Sequence, residues 1–262
     1  PHVLLAAKIA RQQKLPFLIG AQGTYGVAPL MRWPEKYFLR QAYNQADLII
    51  VPSRFTKEKI KAFSNTKTEI KIIHNGVDFY RFQKKQNIEE LRNRFRNKKI
   101  LLTVGSLKSR KGQDIVIRAL SKIKSIYKHF HYFIVGEGKW MRYLKQLARD
   151  LDLAEEVSFL GSLTGNELVK YFQFCDIYIH TARNVNWHFE GFGIVYLEAS
   201  ACSKPIIAAD SGGIRDAVIE NKTGLIVPEE DVDATAQAIL KLFQNPQLAK
   251  KLGENGLQYA KK

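Results

Sequence analysis

Short apolar runs rich in β-branched residues alternate with amphipathic stretches along almost the whole chain. Residues 2–14 repeat apolar side chains at helical spacing, and Pro34–Tyr43 and Arg54–Phe63 do the same. Ser53 stands where an N-cap belongs for the last of these, whose outer face is strongly cationic. Between them, Pro16–Ile19, Asp47–Val51 and Ile70–Ile73 read as strands. The second part is more regular. Strands are expected at Ile100–Val104, His131–Val135, Val157–Leu160, Ile177–His180, Pro205–Ala209 and Gly224–Val227. Helices are expected at Gln113–Tyr127, Trp140–Asp150, Asn166–Phe174, Gly193–Cys202 and Ile214–Ile219, with Asp233–Phe243 closing the domain. Such alternation predicts α/β architecture with doubly wound parallel sheets. The polar stretch from Asp78 to Lys99, with one short helical run near Ile88–Phe95, predicts a first domain over 1–84, a linker over 85–98 and a second domain over 99–262.

Composition adds three constraints. At 262 residues and 45% hydrophobic, the chain has material for two ordinary cores. Its apolar runs are too short for a transmembrane span, and Pro1-His2-Val3 is neither a start methionine nor a basic leader. Cys175 and Cys202 sit in apolar surroundings without metal-ligand spacing, as buried thiols of a reducing compartment would. The net charge of +16 is uneven: residues 1–100 carry 20 Lys and Arg against 7 acids, the remainder 21 against 18. A basic first half is attracted to anionic membrane surfaces or acidic ligands. Aromatic residues do not interleave with those cations as a base-stacking platform requires, so nucleic acid is not expected as a partner.

Several loops carry candidate chemistry. Gly20–Gly26 is a glycine-rich loop at a strand's carboxyl end, where open parallel sheets bind ligands. Gly105-Ser106-Leu107-Lys108-Ser109-Arg110-Lys111-Gly112 follows another strand and leads into a helix. Cations at a helix start oppose its dipole unless an anion sits between them, so Arg110 and Lys111 point either to a bound phosphate or to a merely solvated loop. Gly136-Glu137-Gly138 imitates a dinucleotide fingerprint, but Met141 occupies the third glycine position and no such cofactor is expected. Asp150-Leu151-Asp152 and Asp231-Val232-Asp233 fall at a helix end and a helix start, where acids serve caps and dipoles, and no metal is expected. The densest signal is Glu190-Gly191-Phe192-Gly193-Ile194-Val195-Tyr196-Leu197-Glu198. Glu198 lies within an apolar helical run and needs a partner, either a protein group or a ligand hydroxyl. Eight helical positions would separate the two glutamates by about 12 Å along the axis. A hydrolytic acid pair stands about 5 to 10 Å apart. One loop acid and one helix acid therefore read as grips on one ligand, with backbone amides at Gly191–Gly193 facing its anionic part.

Glu190-x7-Glu198 with Gly-Phe-Gly-Ile-Val-Tyr-Leu resembles the signature of the family 4 glycosyltransferases, which have the GT-B fold. Agreement extends to Val104-Gly105-x-Leu107 with Arg110-Lys111-Gly112-Gln113-Asp114, Val135-Gly136-x-Gly138, Phe159-Leu160-Gly161, Ser211-Gly212-Gly213-Ile214-x-Asp216, Thr223-Gly224-Leu225-x-Val227 and Asn75-Gly76-Val77-Asp78. The wording is most similar to the phosphatidylinositol mannosyltransferase branch. The resemblance implies two Rossmann-like domains facing a cleft, the first incomplete here, with more of that domain before Pro1 and a terminal helix after Lys262. It implies donor contacts from Gly105, Ser106, Arg110, Lys111, Gly161, Leu163, Glu190, Gly191, Phe192, Gly193, Ile194 and Glu198. Glu198 would hold the ribose, Glu190 the transferred sugar, and Lys111 the diphosphate, which makes Glu190 and Lys111 the catalytic residues. Gln22 and Gly23 would lie on the acceptor-side loop. Two positions depart from the pattern: Ser106 replaces a common arginine, and Gln22 stands where a histidine is usual.

The reaction so implied is retaining and metal-independent, without a cofactor: a hexosyl group, of mannose or glucose type, passes from a GDP- or UDP-sugar to a lipid or polysaccharide acceptor. The location implied is cytoplasmic, peripheral at the inner face of the plasma membrane. Two other readings stay open at this point, an epimerase or phosphorylase on the same fold and a non-catalytic nucleotide-sugar-binding domain.

Overall fold

The structure, a computed structural model, describes residues 2–262. These fall into two compact units. One runs to Asn75 and also takes in Asn184–Gly193 and Ser211–Asp216; the other comprises Gly76–Arg183, Ile194–Asp210 and Ala217–Lys262.

The first unit opens with helix α1 (His2–Gln12) and strand β1 (Leu18–Gly20), then a short helix α2 (Thr24–Val27) and a 3-10 turn over Ala28–Met31. Helix α3 (Glu35–Gln45), β2 (Leu48–Val51), α4 (Arg54–Ser64) and β3 (Ile70–Ile72) follow. The strands pair in parallel in the order β1-β2-β3, with Ile49 opposite both Ile19 and Ile70. Ser53 caps α4 as expected, its hydroxyl accepting the Thr56 N–H at 3.2 Å. Tyr43, Leu30, Ile49 and Ile60 form a fully buried core. The phenol of Tyr43 donates to the Gly26 carbonyl at 2.6 Å, so its one polar atom is satisfied there.

The second unit begins with two short helices, α5 (Phe79–Gln83) and α6 (Glu89–Arg94), then alternates: β4 (Lys99–Val104), α7 (Gln113–Ile123), β5 (Phe130–Val135), α8 (Met141–Asp150), β6 (Val157–Phe159), α9 (Gly165–Phe174), β7 (Ile177–His180), α10 (Ile194–Ala201), β8 (Ile206–Ala209) and β9 (Gly224–Val227). The helices α11 (Val232–Gln244) and α12 (Pro246–Ala260) follow. Its six-stranded parallel sheet has the order β6-β5-β4-β7-β8-β9. Order reverses beside β4, and the loops leaving β4 and β7 therefore flank the switch point where such sheets bind ligands. Every residue of β5, β7 and β8 is buried, which explains why these strands read as unbroken apolar runs.

Three local expectations are corrected. Asp233–Phe243 does not close the domain, because α12 follows it, started by Asn245, whose side chain accepts the Leu248 N–H at 2.9 Å, with Pro246 at the first helical position. A Cβ on Gly253 would lie 2.1 Å from the Ser203 carbonyl oxygen, so this glycine lets α12 pack flush where any side chain would collide. The helix expected at Ile214–Ile219 is only a 3-10 turn over Ile214–Asp216, and the polar stretch after Asp78 holds α5, capped by Asp78 itself. The two acidic strings serve local structure. Asp231 caps α11 through the Ala234 N–H at 2.8 Å, and Asp152 pairs with Lys124. Burial pushes both cysteine thiols up to about 12, so they are protonated at neutral pH.

His131, on β5, is buried among Phe95 and Phe133 and bonded through Nε2 to Ser158 Oγ at 2.8 Å. Burial, helped by Lys98 and Arg94, pushes its pKa down to about 4. The unfolded chain therefore binds the proton first as pH falls, and stability is lost from about pH 6.5 down to about pH 4. Replacing His131 with Asn is expected to flatten that part of the stability-versus-pH curve, measured by urea unfolding at half-unit pH steps.

Candidate functional site

Within the second unit, the expected phosphate loop is built by backbone hydrogen bonds between neighbouring strand ends. Gly105 N–H donates to Val135 O at 2.9 Å, Leu107 N–H to Glu137 O at 2.9 Å, and Gly136 N–H to Gly161 O at 2.6 Å. Gly105, Ser106, Gly161 and Leu163 thus belong to one row of loops at the carboxyl ends of β4, β5 and β6, all half-buried. Ser109–Lys111 form a 3-10 turn that places Arg110 and Lys111 just before α7, with Gly112 in the left-handed region at φ 71°. A Cβ on Gly112 would come within 1.8 Å of the Thr181 carbonyl oxygen. Only glycine permits both the turn and that approach. The Thr181 hydroxyl returns a bond to Gly112 O at 2.7 Å.

Arg183, which the sequence did not single out, locks this arrangement. Its backbone N–H donates to Arg110 O at 2.9 Å. Its guanidinium, almost fully buried, pairs with the buried carboxylate of Asp114 in the first turn of α7 and with Glu230 at 2.7 Å. The only sequence signal for it was a lone cation three residues past a buried strand end.

Glu198 projects from α10, whose Tyr196, Leu197, Ala199, Ser200 and Ala201 are buried. Burial raises the pKa of its carboxyl, and the charge of Arg81 offsets this only in part. Among the described residues the carboxylate has neither a hydrogen-bond partner nor an ion-pair partner, in contrast to Asp114. Ile194, at the start of α10, is exposed.

The remaining candidates belong to the first unit. Gln22 is exposed and Gly23 buried. The Thr24 hydroxyl donates to Phe189 O at 2.8 Å and accepts the Phe189 N–H at 3.0 Å, a reciprocal pair between residues 165 positions apart. Glu190 O accepts the Gly213 N–H at 2.8 Å. Gly191 lies so close to Gly23 that a Cβ on either would stand 2.7 Å from the other's Cα. Phe192 is buried and stacks on His74, with centroids 5.5 Å apart and planes at 24°. Gly193 takes φ 82°. His74 donates from Nδ1 to Pro52 O at 3.0 Å, and its Nε2 stands 3.9 Å from Asp216, which also holds the Arg54 N–H at 2.8 Å. The structure therefore gathers Gln22, Gly23, Glu190, Gly191, Phe192 and Gly193 in one unit, and Gly105, Ser106, Arg110, Lys111, Gly161, Leu163, Ile194 and Glu198 in the other. No group of three His, Cys, Asp or Glu among the described residues could hold a metal ion, and none of their helices is long and apolar enough to cross a membrane.

Comparison with known proteins follows these lines. Residues 84–259 match the family model described as glycosyl transferases group 1, and residues 1–81 the model described as glycosyltransferase family 4. A GDP-mannose-dependent alpha-(1-6)-phosphatidylinositol monomannoside mannosyltransferase of Mycolicibacterium smegmatis is 33% identical over 227 residues, covering 85% of this chain and 59% of that protein. A GDP-mannose-dependent monoacylated alpha-(1-6)-phosphatidylinositol monomannoside mannosyltransferase of Corynebacterium glutamicum is 29% identical, covering 92% and 65%. The chain thus spans about three fifths of the length of these relatives. Among solved structures, Anabaena HepE in complex with UDP and glucose superimposes with a TM-score of 0.85 at 22% identity, over 98% of this chain and 70% of that one. Sucrose-phosphate synthase from Thermosynechococcus elongatus does so with 0.79 at 21% identity, over 99% and 72%. These likenesses show the fold, GT-B with two Rossmann-like parallel domains.

Two outcomes test the electrostatics. Replacing Arg183 with Ala leaves Asp114 buried without its partner and is expected to cost about 3 kcal/mol in denaturant unfolding, most of it restored when Asp114 is replaced by Leu as well. Glu198→Gln is expected to raise the ligand-free melting temperature at pH 7. The raised folded-state pKa means that stability falls as pH rises past the ordinary glutamate range, and the uncharged variant lacks that fall.

Proposed function

The chain belongs to the group 1 glycosyltransferases, and from that premise we propose that it serves as a retaining hexosyltransferase, moving a mannose- or glucose-type sugar from a GDP- or UDP-sugar to a lipid or polysaccharide acceptor. The observation that carries the donor assignment is Glu198: a partly buried carboxylate with no hydrogen-bond or ion-pair partner among the described residues, and only partial relief from the charge of Arg81, is what a ribose diol would complete. On this reading Lys111, with Arg110, neutralises the diphosphate from the turn before α7, and the amides of Gly105 and Ser106 add donors. Gly161 and Leu163 border the base, and Ile194 opens the helix that carries Glu198. Glu190 engages the transferred sugar, with amides from Gly191, Phe192 and Gly193, and Gln22 and Gly23 lie on the acceptor side.

The donor's bond from C1 to the diphosphate oxygen breaks as the acceptor oxygen bonds to C1 on the same face, and the acceptor proton passes to the departing phosphate. Lys111 and Arg110 supply the charge compensation that the leaving group demands, so a divalent metal is not part of the proposal. GDP-mannose is favoured by the names of the relatives, and UDP-sugars by the UDP bound in HepE. The basic first half supports a place at an anionic inner membrane face. Residues 1–84 would form the acceptor-side domain, joined through 85–98 to a donor domain over 99–262.

A thermal-shift screen with UDP, GDP and ADP tests this directly. The fitting nucleotide at one hundred times its dissociation constant is expected to add about 2.7 kcal/mol. Lys111→Ala and Glu198→Ala should each remove most of that shift, and a flat response of folded wild-type protein to all three nucleotides sinks the donor site. In turnover with a radiolabelled donor, Glu190→Gln is expected to be at least about 100-fold slower while keeping the nucleotide shift. Activity that survives EDTA separates the metal-independent reading from a metal-assisted one.

A further inference from the structure

Helix α4 presents Phe55, Lys59 and Phe63 on one face, at successive four-residue steps. Opposite them in the same unit stands a tight hairpin closed by a bridge between Val185 and His188. Its Asn184, Asn186 and Trp187, with the α4 residues, line a cavity of about 170 Å³. Phe189 packs edge-on against Phe55 at 4.9 Å and Trp187 against Phe63 at 5.9 Å. Lys59 Nζ lies 5.0 Å from the Phe55 centroid and 5.9 Å from that of Phe63.

Three features suit an occupant. Trp187 is 48% exposed at a hairpin tip, although full burial of an indole would be more favourable. Lys59 is half-buried against two rings, without a carboxylate partner among the described residues. Asn186 holds the left-handed region at φ 53°, with its exposed amide making no hydrogen bond among the described residues. An acyl chain would satisfy the rings but would strip water from the ammonium and amides without replacing it. A pyranose ring suits all three, since its C–H faces are apolar while its hydroxyl rim accepts from Lys59 and exchanges hydrogen bonds with Asn186.

We propose that this aromatic cavity is a carbohydrate subsite in which the side chain of Trp187 packs against a pyranose ring of the acceptor, with Lys59 and Asn186 binding its hydroxyls. The assignment to the acceptor rests on the transferase reading above; the cavity's preference for a sugar does not.

The test titrates the full chain with methyl α-D-mannopyranoside by calorimetry and tryptophan fluorescence, with sodium octanoate as the apolar control. Saturable glycoside binding is expected, weakened about tenfold or more by Trp187→Ala and less by Asn186→Ala. Trp187→Phe should keep the calorimetric signal and lose the fluorescence change, leaving Trp33 and Trp140 silent. Nucleotide-induced stabilisation should be equal in all three variants, which also shows that they are folded. Saturation by octanoate with silent glycoside, or glycoside binding unmoved by both Trp187→Ala and Asn186→Ala, overturns the subsite. If glycoside binding behaves as expected but no nucleotide stabilises the wild type, the donor reading falls and the sugar subsite stands.

Discussion

The ion pair between Arg183 and Asp114 is the contact on which the loops at the carboxyl ends of β4 and β7 depend. Both groups are largely removed from water, and Asp114 has no tolerable place there without the guanidinium, which Glu230 engages from its exposed side. The same arginine fixes the Arg110 carbonyl through its backbone, and two residues earlier Thr181 grips Gly112. Loops from two neighbouring strands, β4 and β7, are thereby welded into one piece. A cationic turn that would otherwise repel itself is held in a fixed geometry from below, and its side chains need not supply their own support.

Set beside that pair, Glu198 shows the opposite treatment of the same functional group in the same unit. Asp114 is compensated by a guanidinium, whereas Glu198 is held half out of water with only partial relief from Arg81. A chain selected for stability alone would pair or neutralise both. On the proposed donor reading, this uneven compensation is what a ligand at Glu198 would complete, and it is read from burial and charge rather than from sequence similarity.

How much of this was legible in the sequence followed from the range of the interactions involved. Parallel strands buried on both faces announce themselves as apolar runs, so Ile100–Val104 and Ile177–His180 could be placed to within a residue or so. Helix α12 is hard to read in the sequence because Gly253 and Gly256 look like loop residues, whereas Gly253 is a contact surface. Its one local cue is Asn245 before Pro246, a helix-start signal. The Gly-Phe-Gly signature was visible, but not its mooring. Thr24 and Phe189 meet across 165 positions, and no local pattern encodes a partner at that distance. Arg183 and the Phe55–Lys59–Phe63 face were hidden for a related reason: an arginine after a strand, or a cationic helix face, has many uses until its neighbours are known.

The first unit's assembly from three separated stretches has a kinetic side. Its opening segment ends at Asn75, yet the hairpin that covers Phe55 and Phe63 arrives only with residues 184–193, and the turn that holds Glu190 arrives later still with Ser211–Asp216. During synthesis those rings wait in water while more than a hundred intervening residues emerge. Closing so long a loop adds little to the equilibrium cost but delays the contact, because its entropy must be spent before any packing is gained. The opening segment expressed by itself would display a permanently uncovered aromatic stripe, so the natural unit for expression, fusion or circular permutation reaches at least to Asp216.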